Sequence, residues 1–126
     1  MTAPAKTVRW IASSRKDLQS LPKAVRETIG YALWESQEGK LPLHAKVLHG
    51  FAGASVVQIR AAHEGNAYRA VYTSRFREFV YVLHVFQKKS KKGSKTPPEV
   101  MKLIRERLKE AENQYEQWKE TKGRPN

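Results

Sequence analysis

A chain of 126 residues with 40% hydrophobic residues and a formal net charge of +12 is long enough for one domain and too apolar for a disordered polymer. It has no cysteine, which removes disulfide frameworks, thiolate metal sites and thiol redox chemistry. The longest apolar run falls far short of the roughly 18 residues a membrane span needs, and residues 1–6 contain no signal-peptide stretch, so a single cytoplasmic domain over 1–126 is expected.

The charge surplus is localised. Residues 99–120 carry six carboxylates against five Lys or Arg, whereas residues 1–98 carry seventeen Lys or Arg against six carboxylates. A surplus of this size favours an anionic partner: nucleic acid, an anionic membrane surface or an acidic protein.

In chain order, residues 1–7 read as disordered, then Val8 to Ile11 as a short strand. Ser14, three residues before Asp17, caps a short helical turn carrying Leu18 and Leu21. Pro22 restarts the helix, and Val25, Ile29, Ala32 and Leu33 recur at helical spacing until Gly39. The stretch Gly39 to Gly53 has no steady period and reads as a loop that touches the core through Val47, Leu48 and Phe51.

Three strand-like runs follow, Ser55 to His63, Tyr68 to Ser74 and Phe79 to Gln87. They are joined so tightly that they must form an antiparallel meander, because parallel neighbours need a crossover of a dozen or more residues. Within them Val57, Ile59 and Ala61 point one way and Val56, Gln58 and Arg60 the other, while Arg69 shares a face with Val71 and Thr73. A sheet with helices on one face and water on the other would set Gln58, Arg60 and Arg69 on the open side.

The last strand runs into Lys88, Lys89, Lys91, Lys92 and Lys95, with no carboxylate between Glu78 and Glu99. Thr96, Pro97 and Glu99 then carry the pattern of a capping box opening a helix that extends to about Lys119. Its stripe is Val100, Leu103, Ile104, Leu108, Ala111, Tyr115 and Trp118, and residues 121–126 are expected to fray. The fold class is α+β: an N-terminal strand and helical hairpin on an antiparallel meander, with a C-terminal helix. His84, inside an apolar strand, reads as a hydrogen-bonded core histidine, and Trp10, Trp34 and Trp118 as core. His44, His49 and His63 lack metal-ligand spacing, so neither metal nor cofactor is expected.

The order of elements, with Val56-Val57-Gln58-Ile59-Arg60, Tyr68-Arg69-Ala70-Val71-Tyr72 and Leu83-His84-Val85-Phe86-Gln87-Lys88-Lys89 followed by Lys95-Thr96-Pro97, resembles the RelE/ParE toxin superfamily. Within it the chain is similar to the phage-derived, HigB-like branch. The resemblance implies the toxin of a type II toxin–antitoxin system: an endoribonuclease (mRNA interferase) that cuts messenger RNA on the ribosome. Its partner would be an antitoxin, expected to be a helix-turn-helix protein.

Carried over by position, Arg69 matches a phosphate-contacting arginine and Lys89 a cation at the end of the last strand. Where RelE has catalytic lysines on the first meander strand, this chain has Val56 and Gln58, and no Tyr occurs between Tyr81 and Tyr115. A RelE proton-transfer scheme therefore does not transfer.

Metal-free RNA cleavage turns a 2′-hydroxyl on its own 3′-phosphate, and fixed cations at that phosphate supply the electrostatic part. Arg60, Arg69, Lys88 and Lys89 are the catalytic candidates, with Lys91, Lys92, Lys95, Gln58 and Arg75 as RNA-binding residues. Two other readings fit the same residues: a ParE-like toxin that inhibits gyrase, and a non-catalytic basic protein that binds nucleic acid.

Overall fold

The computed structural model describes residues 5–88 and 96–123. Its elements are β1 (Thr7–Trp10), α1 (Ser14–Gln19), α2 (Lys23–Gln37), β2 (Ala45–Val47), β3 (Val56–His63), β4 (Asn66–Thr73), β5 (Phe79–Lys88) and α3 (Pro98–Gly123). The α+β class and the meander stand as expected, but the sheet is larger than the meander. Five strands lie in the order β1-β5-β4-β3-β2, with β1 parallel to β5 and the other pairs antiparallel. β1 reaches its parallel place because α1 and α2 intervene, whereas β2 came from a stretch read as loop. Three residues are too few for alternation to show in a sequence; pairing with β3 makes the strand.

Helices cover both faces. On one side Val25, Ile29 and Leu33 of α2 pack on Ile59, Ala70, Tyr72 and Val82. On the other, Ile104, Leu108 and Ala111 of α3 pack on Val71, Tyr81 and Leu83. Each fully buried aliphatic side chain contributes about 1.5–3 kcal/mol, so neither layer is dispensable. Burial from both sides explains why β5 reads Phe79-Val80-Tyr81-Val82-Leu83 without alternation, all five being buried.

Two turns set the geometry. Glu64 and Gly65 both have positive φ, 48° and 79°, as the tightest hairpin requires, and His63 pairs directly with Asn66. Midway along β4–β5 the register shifts, so that Val71 faces His84 while Tyr72 faces Val82. The extra residue turns Leu83 into the α3-side core and brings His84 to Arg107 of the same helix.

The chain ends are more ordered than expected. Lys6 bonds through its backbone to Gln37 and through its ammonium to Ser74, and α3 continues to Gly123. Residues 1–4 and 124–126 lie outside the described residues. Two caps also differ. Ser14 is fully buried with its hydroxyl donating to the Val82 carbonyl, while Ser13 holds Asp17. At α3 the Pro97 carbonyl accepts the first backbone bonds, and the Thr96 hydroxyl turns to Gln58 instead of closing a box.

Candidate active site: a cationic corner of the sheet

Cross-strand partners share a face, so the register assembles the site directly. Arg60 of β3 faces Arg69 of β4, which faces Phe86 of β5. One row toward the β3–β4 hairpin lie Ala62, Ala67 and Lys88; one row the other way lie Lys46, Gln58, Val71 and His84. Three adjacent strands therefore deliver Arg60, Arg69 and Lys88 to one corner of one face, and β2 adds Lys46. The first three were expected together; Lys46 was missed, because nothing in Ala45-Lys46-Val47 marks it as an edge strand beside Gln58.

This corner is not the wet open face that parity suggested. Arg69 is 1% exposed and Gln58 fully buried, while Arg60 stands in solvent and Lys88 is half-buried. α3 packs on this face over Val71 and Leu83, and Thr96, just before the helix, donates its hydroxyl to Gln58 Oε1 at 3.4 Å. The amide nitrogen of Gln58 has no partner among the described residues. A buried donor left unpaired costs about 1–3 kcal/mol.

Electrostatics follow from the crowding. Burial, reinforced by the facing charge of Arg60, lowers the pKa of Arg69. Desolvation and then the charges of Arg69, Arg60 and Lys46 lower that of Lys88. His84, beside this cluster, is pushed down to about 4, first by burial and then by Arg107, against the opposing pull of Asp17. Arg107 Nη1 lies 3.1 Å from its Nδ1 and donates to it, so the imidazole is neutral, and it stacks on Phe86 at 4.7 Å. It is hydrogen-bonded as expected, but part-buried on the face of the sheet rather than within the core.

Arg75 is not part of this corner. It lies past the far end of β4, more than about 13 Å of strand from Arg69, ion-paired to Glu112 of α3 and near the Phe76 ring. Its RNA-binding assignment has no support here: an acidic residue on the helix already engages it. Lys89, Lys91, Lys92 and Lys95 lie outside the described residues. Of the tryptophans, Trp10 and Trp118 pack against the cores, but Trp34 is 48% exposed beside Tyr31, because only one stripe of α2 meets the sheet. Among the described residues no group of three or more His, Asp or Glu could hold a metal ion, and no helix is long and apolar enough to cross a membrane.

A family model described as phage-derived protein Gp49-like matches residues 16–109. Among solved structures, the free form of a double arginine-to-alanine mutant of the E. coli toxin RelE is 21% identical, with a TM-score of 0.60 over 82% of this chain and 97% of that one. The RelBE2 toxin–antitoxin complex of Mycobacterium tuberculosis gives 22% identity and a TM-score of 0.46, over 67% of this chain and 99% of the matched one. No curated protein matches.

Proposed function

This chain belongs to the phage-derived, Gp49-like family and has the RelE-like toxin fold, and from that premise we propose that it is the toxin of a type II toxin–antitoxin pair, a metal-independent endoribonuclease acting on messenger RNA at the ribosome. The HigB-like branch within the superfamily is part of the same proposal. One observation carries it: Arg60, Arg69 and Lys88 converge from three strands on one face at the mouth of the sheet. Cations gathered on one face suit a phosphate, whose oxygens they can approach together.

In the reaction a 2′-hydroxyl loses its proton and attacks the adjacent phosphorus, the bond to the 5′-oxygen breaks, and that oxygen takes up a proton. Arg69, held rigid by burial, and Arg60 stabilise charge on the phosphoryl oxygens. Lys88, with its lowered pKa, is the proton-exchanging group, and Lys89 joins the cationic set at the strand end. The Gln58 amide supplies a neutral donor at the floor, and Lys91, Lys92 and Lys95 extend contact along the RNA backbone. The antitoxin, a helix-turn-helix protein in this reading, blocks the corner in the cytoplasm.

Mapping transcript 5′ ends after brief induction tests this. Wild-type protein should generate new ends inside coding regions, and Arg60→Ala with Lys88→Ala should abolish them while leaving the protein folded. Equal cleavage by that double variant refutes the site. Intact messages alongside gyrase-dependent DNA breaks would favour the ParE-like alternative, and harmless expression with steeply salt-dependent binding a plain nucleic-acid-binding protein.

A further inference from the structure

α2 lies across the sheet from the cationic corner. Its inner stripe, Val25, Ile29 and Leu33, packs on Ile59, Ala70 and Tyr72, whereas Val71, the cross-strand partner of Gln58, belongs to the α3 side. On its outer side Gly30, Tyr31, Trp34 and Glu38 follow Glu27 at the spacing of one helix face, and all five are exposed. Tyr31 and Trp34 are 62% and 48% exposed, with ring centroids 5.6 Å apart. Two large rings left in contact with each other and with water are the informative kind of surface residue. Beside them sits the poorest helix former after proline: a Cβ added at Gly30 would meet nothing within 4 Å, so the helix backbone is bare next to the rings.

Charge on this face runs against the rest of the chain. From Glu27 to Glu38 there are three carboxylates, Glu27, Glu35 and Glu38, and no Lys or Arg, in a protein of net charge +12. Glu27 is shared with Lys23 at 3.8 Å, but Glu35 and Glu38 stand at the C-terminal end of α2, whose last turn has no basic residue. The helix dipole is already negative there and disfavours a carboxylate, so both effects call for an external cation and repel nucleic acid.

We propose that the outer face of α2 docks a basic amphipathic helix of a partner protein. A leucine-sized side chain seats over Gly30 against Tyr31 and Trp34, and flanking Lys or Arg side chains meet Glu35, Glu38 and the carbonyl end of α2. Exposed Trp and Tyr beside a bare backbone supply the anchor, and the carboxylates set the sign of the partner. A partner held here lies on the opposite side of the sheet from Arg69, so it carries the protein without covering the cationic corner. The docking face goes beyond the nuclease reading and does not rest on it.

The test is fluorescence anisotropy, without RNA, using labelled acetyl-(Lys-Leu-Ala-Lys-Leu-Ala-Lys)2-amide. Its controls are acetyl-(Glu-Leu-Ala-Glu-Leu-Ala-Glu)2-amide, of opposite charge, and acetyl-(Lys-Ala-Ala-Lys-Ala-Ala-Lys)2-amide, of the same charge without leucine. The basic amphipathic peptide should bind at least about tenfold more tightly than either control. Gly30→Leu fills the bare stretch and Glu38→Lys inverts the charge at the helix end, and each should weaken binding by about tenfold or more. Neither should lower Tm, and Gly30→Leu should raise it by about 2–4 °C, so lost binding is not lost folding. Equal binding of the acidic peptide, equal binding of the leucine-free peptide, or indifference to both variants overturns the proposal. So does a wild-type dimer in sedimentation that Gly30→Leu dissociates, which would make this face a contact between copies. Protein that cuts RNA but ignores the peptide refutes the docking face alone; protein that binds the peptide but cuts no RNA refutes the nuclease reading alone.

Discussion

Replacing Arg69 by Met separates activity from stability. The guanidinium is 1% exposed, faces Arg60 directly across the ladder, and has its pKa lowered by burial and by that neighbour. Losing a hydrogen bond made by the buried guanidinium costs about 0.5–1.5 kcal/mol. Removing a like charge directly opposite returns about 0.2–1 kcal/mol. At roughly 3–5 °C per kcal/mol for a domain of this size, these nearly offset, and Arg69→Met should move Tm by no more than about 5 °C. In the reaction the same change removes a fixed cation from the phosphate, and losing one preorganised donor costs about 10²–10³ in rate. Calorimetry and single-turnover cleavage of a labelled messenger on ribosomes, run on the same preparation, read both quantities. A Tm that falls by well over about 5 °C with cleavage intact would show that Arg69 braces the sheet and that the cations are not kept for a ligand.

Arg60→Ala relieves Lys88 of a neighbouring charge, so the Lys88 pKa rises and the alkaline-going limb of the cleavage pH profile should shift to higher pH; an unmoved limb removes Lys88 from proton transfer. His84 has a folded-state pKa of about 4 against an ordinary 6.5, so the unfolded chain binds the extra proton. Its stabilising contribution is complete above about pH 6.5 and is lost as pH falls toward 4, by about 2 kcal/mol after discounting for solvent; urea titrations should show this loss in wild type and not in His84→Gln. Arg75→Ala should change cleavage less than about threefold and stability by under about 1 kcal/mol, since its surface ion pair with Glu112 lies far from the corner; a large loss of RNA affinity would restore it to the site. Glu64→Asn, at a φ of 48° before Gly65, should stabilise by about 0.5 kcal/mol or more in thermal melts, and no gain would mean the turn is not strained.

Much of this molecule was legible in its residues, because strand and helix periodicities are local. The meander, the two-helix insertion and the α3 stripe follow from spacing, and pleat parity correctly set Arg60 on the face of Gln58, and Arg69 on that of Val71 and Thr73. The continuous charge surplus before Glu99 pointed to an anionic ligand for the same reason: composition needs no coordinates.

What tertiary structure alone decided is which of those charges meet and how wet they are. Register, not order along the chain, set Arg60 against Arg69 and brought Lys88 and Lys46 to the same corner, while Arg75, equally basic in sequence, was taken up by Glu112 on a helix more than thirty residues away. Burial likewise depends on what packs on each face: α3 covers part of a face that parity leaves open, and Gln58 and Arg69 on that face are shut from water. Periodicity records the side of a strand on which a residue stands; what lies above that side is fixed by chain packed from elsewhere, and with it the desolvation that gives a lysine or an arginine its chemistry.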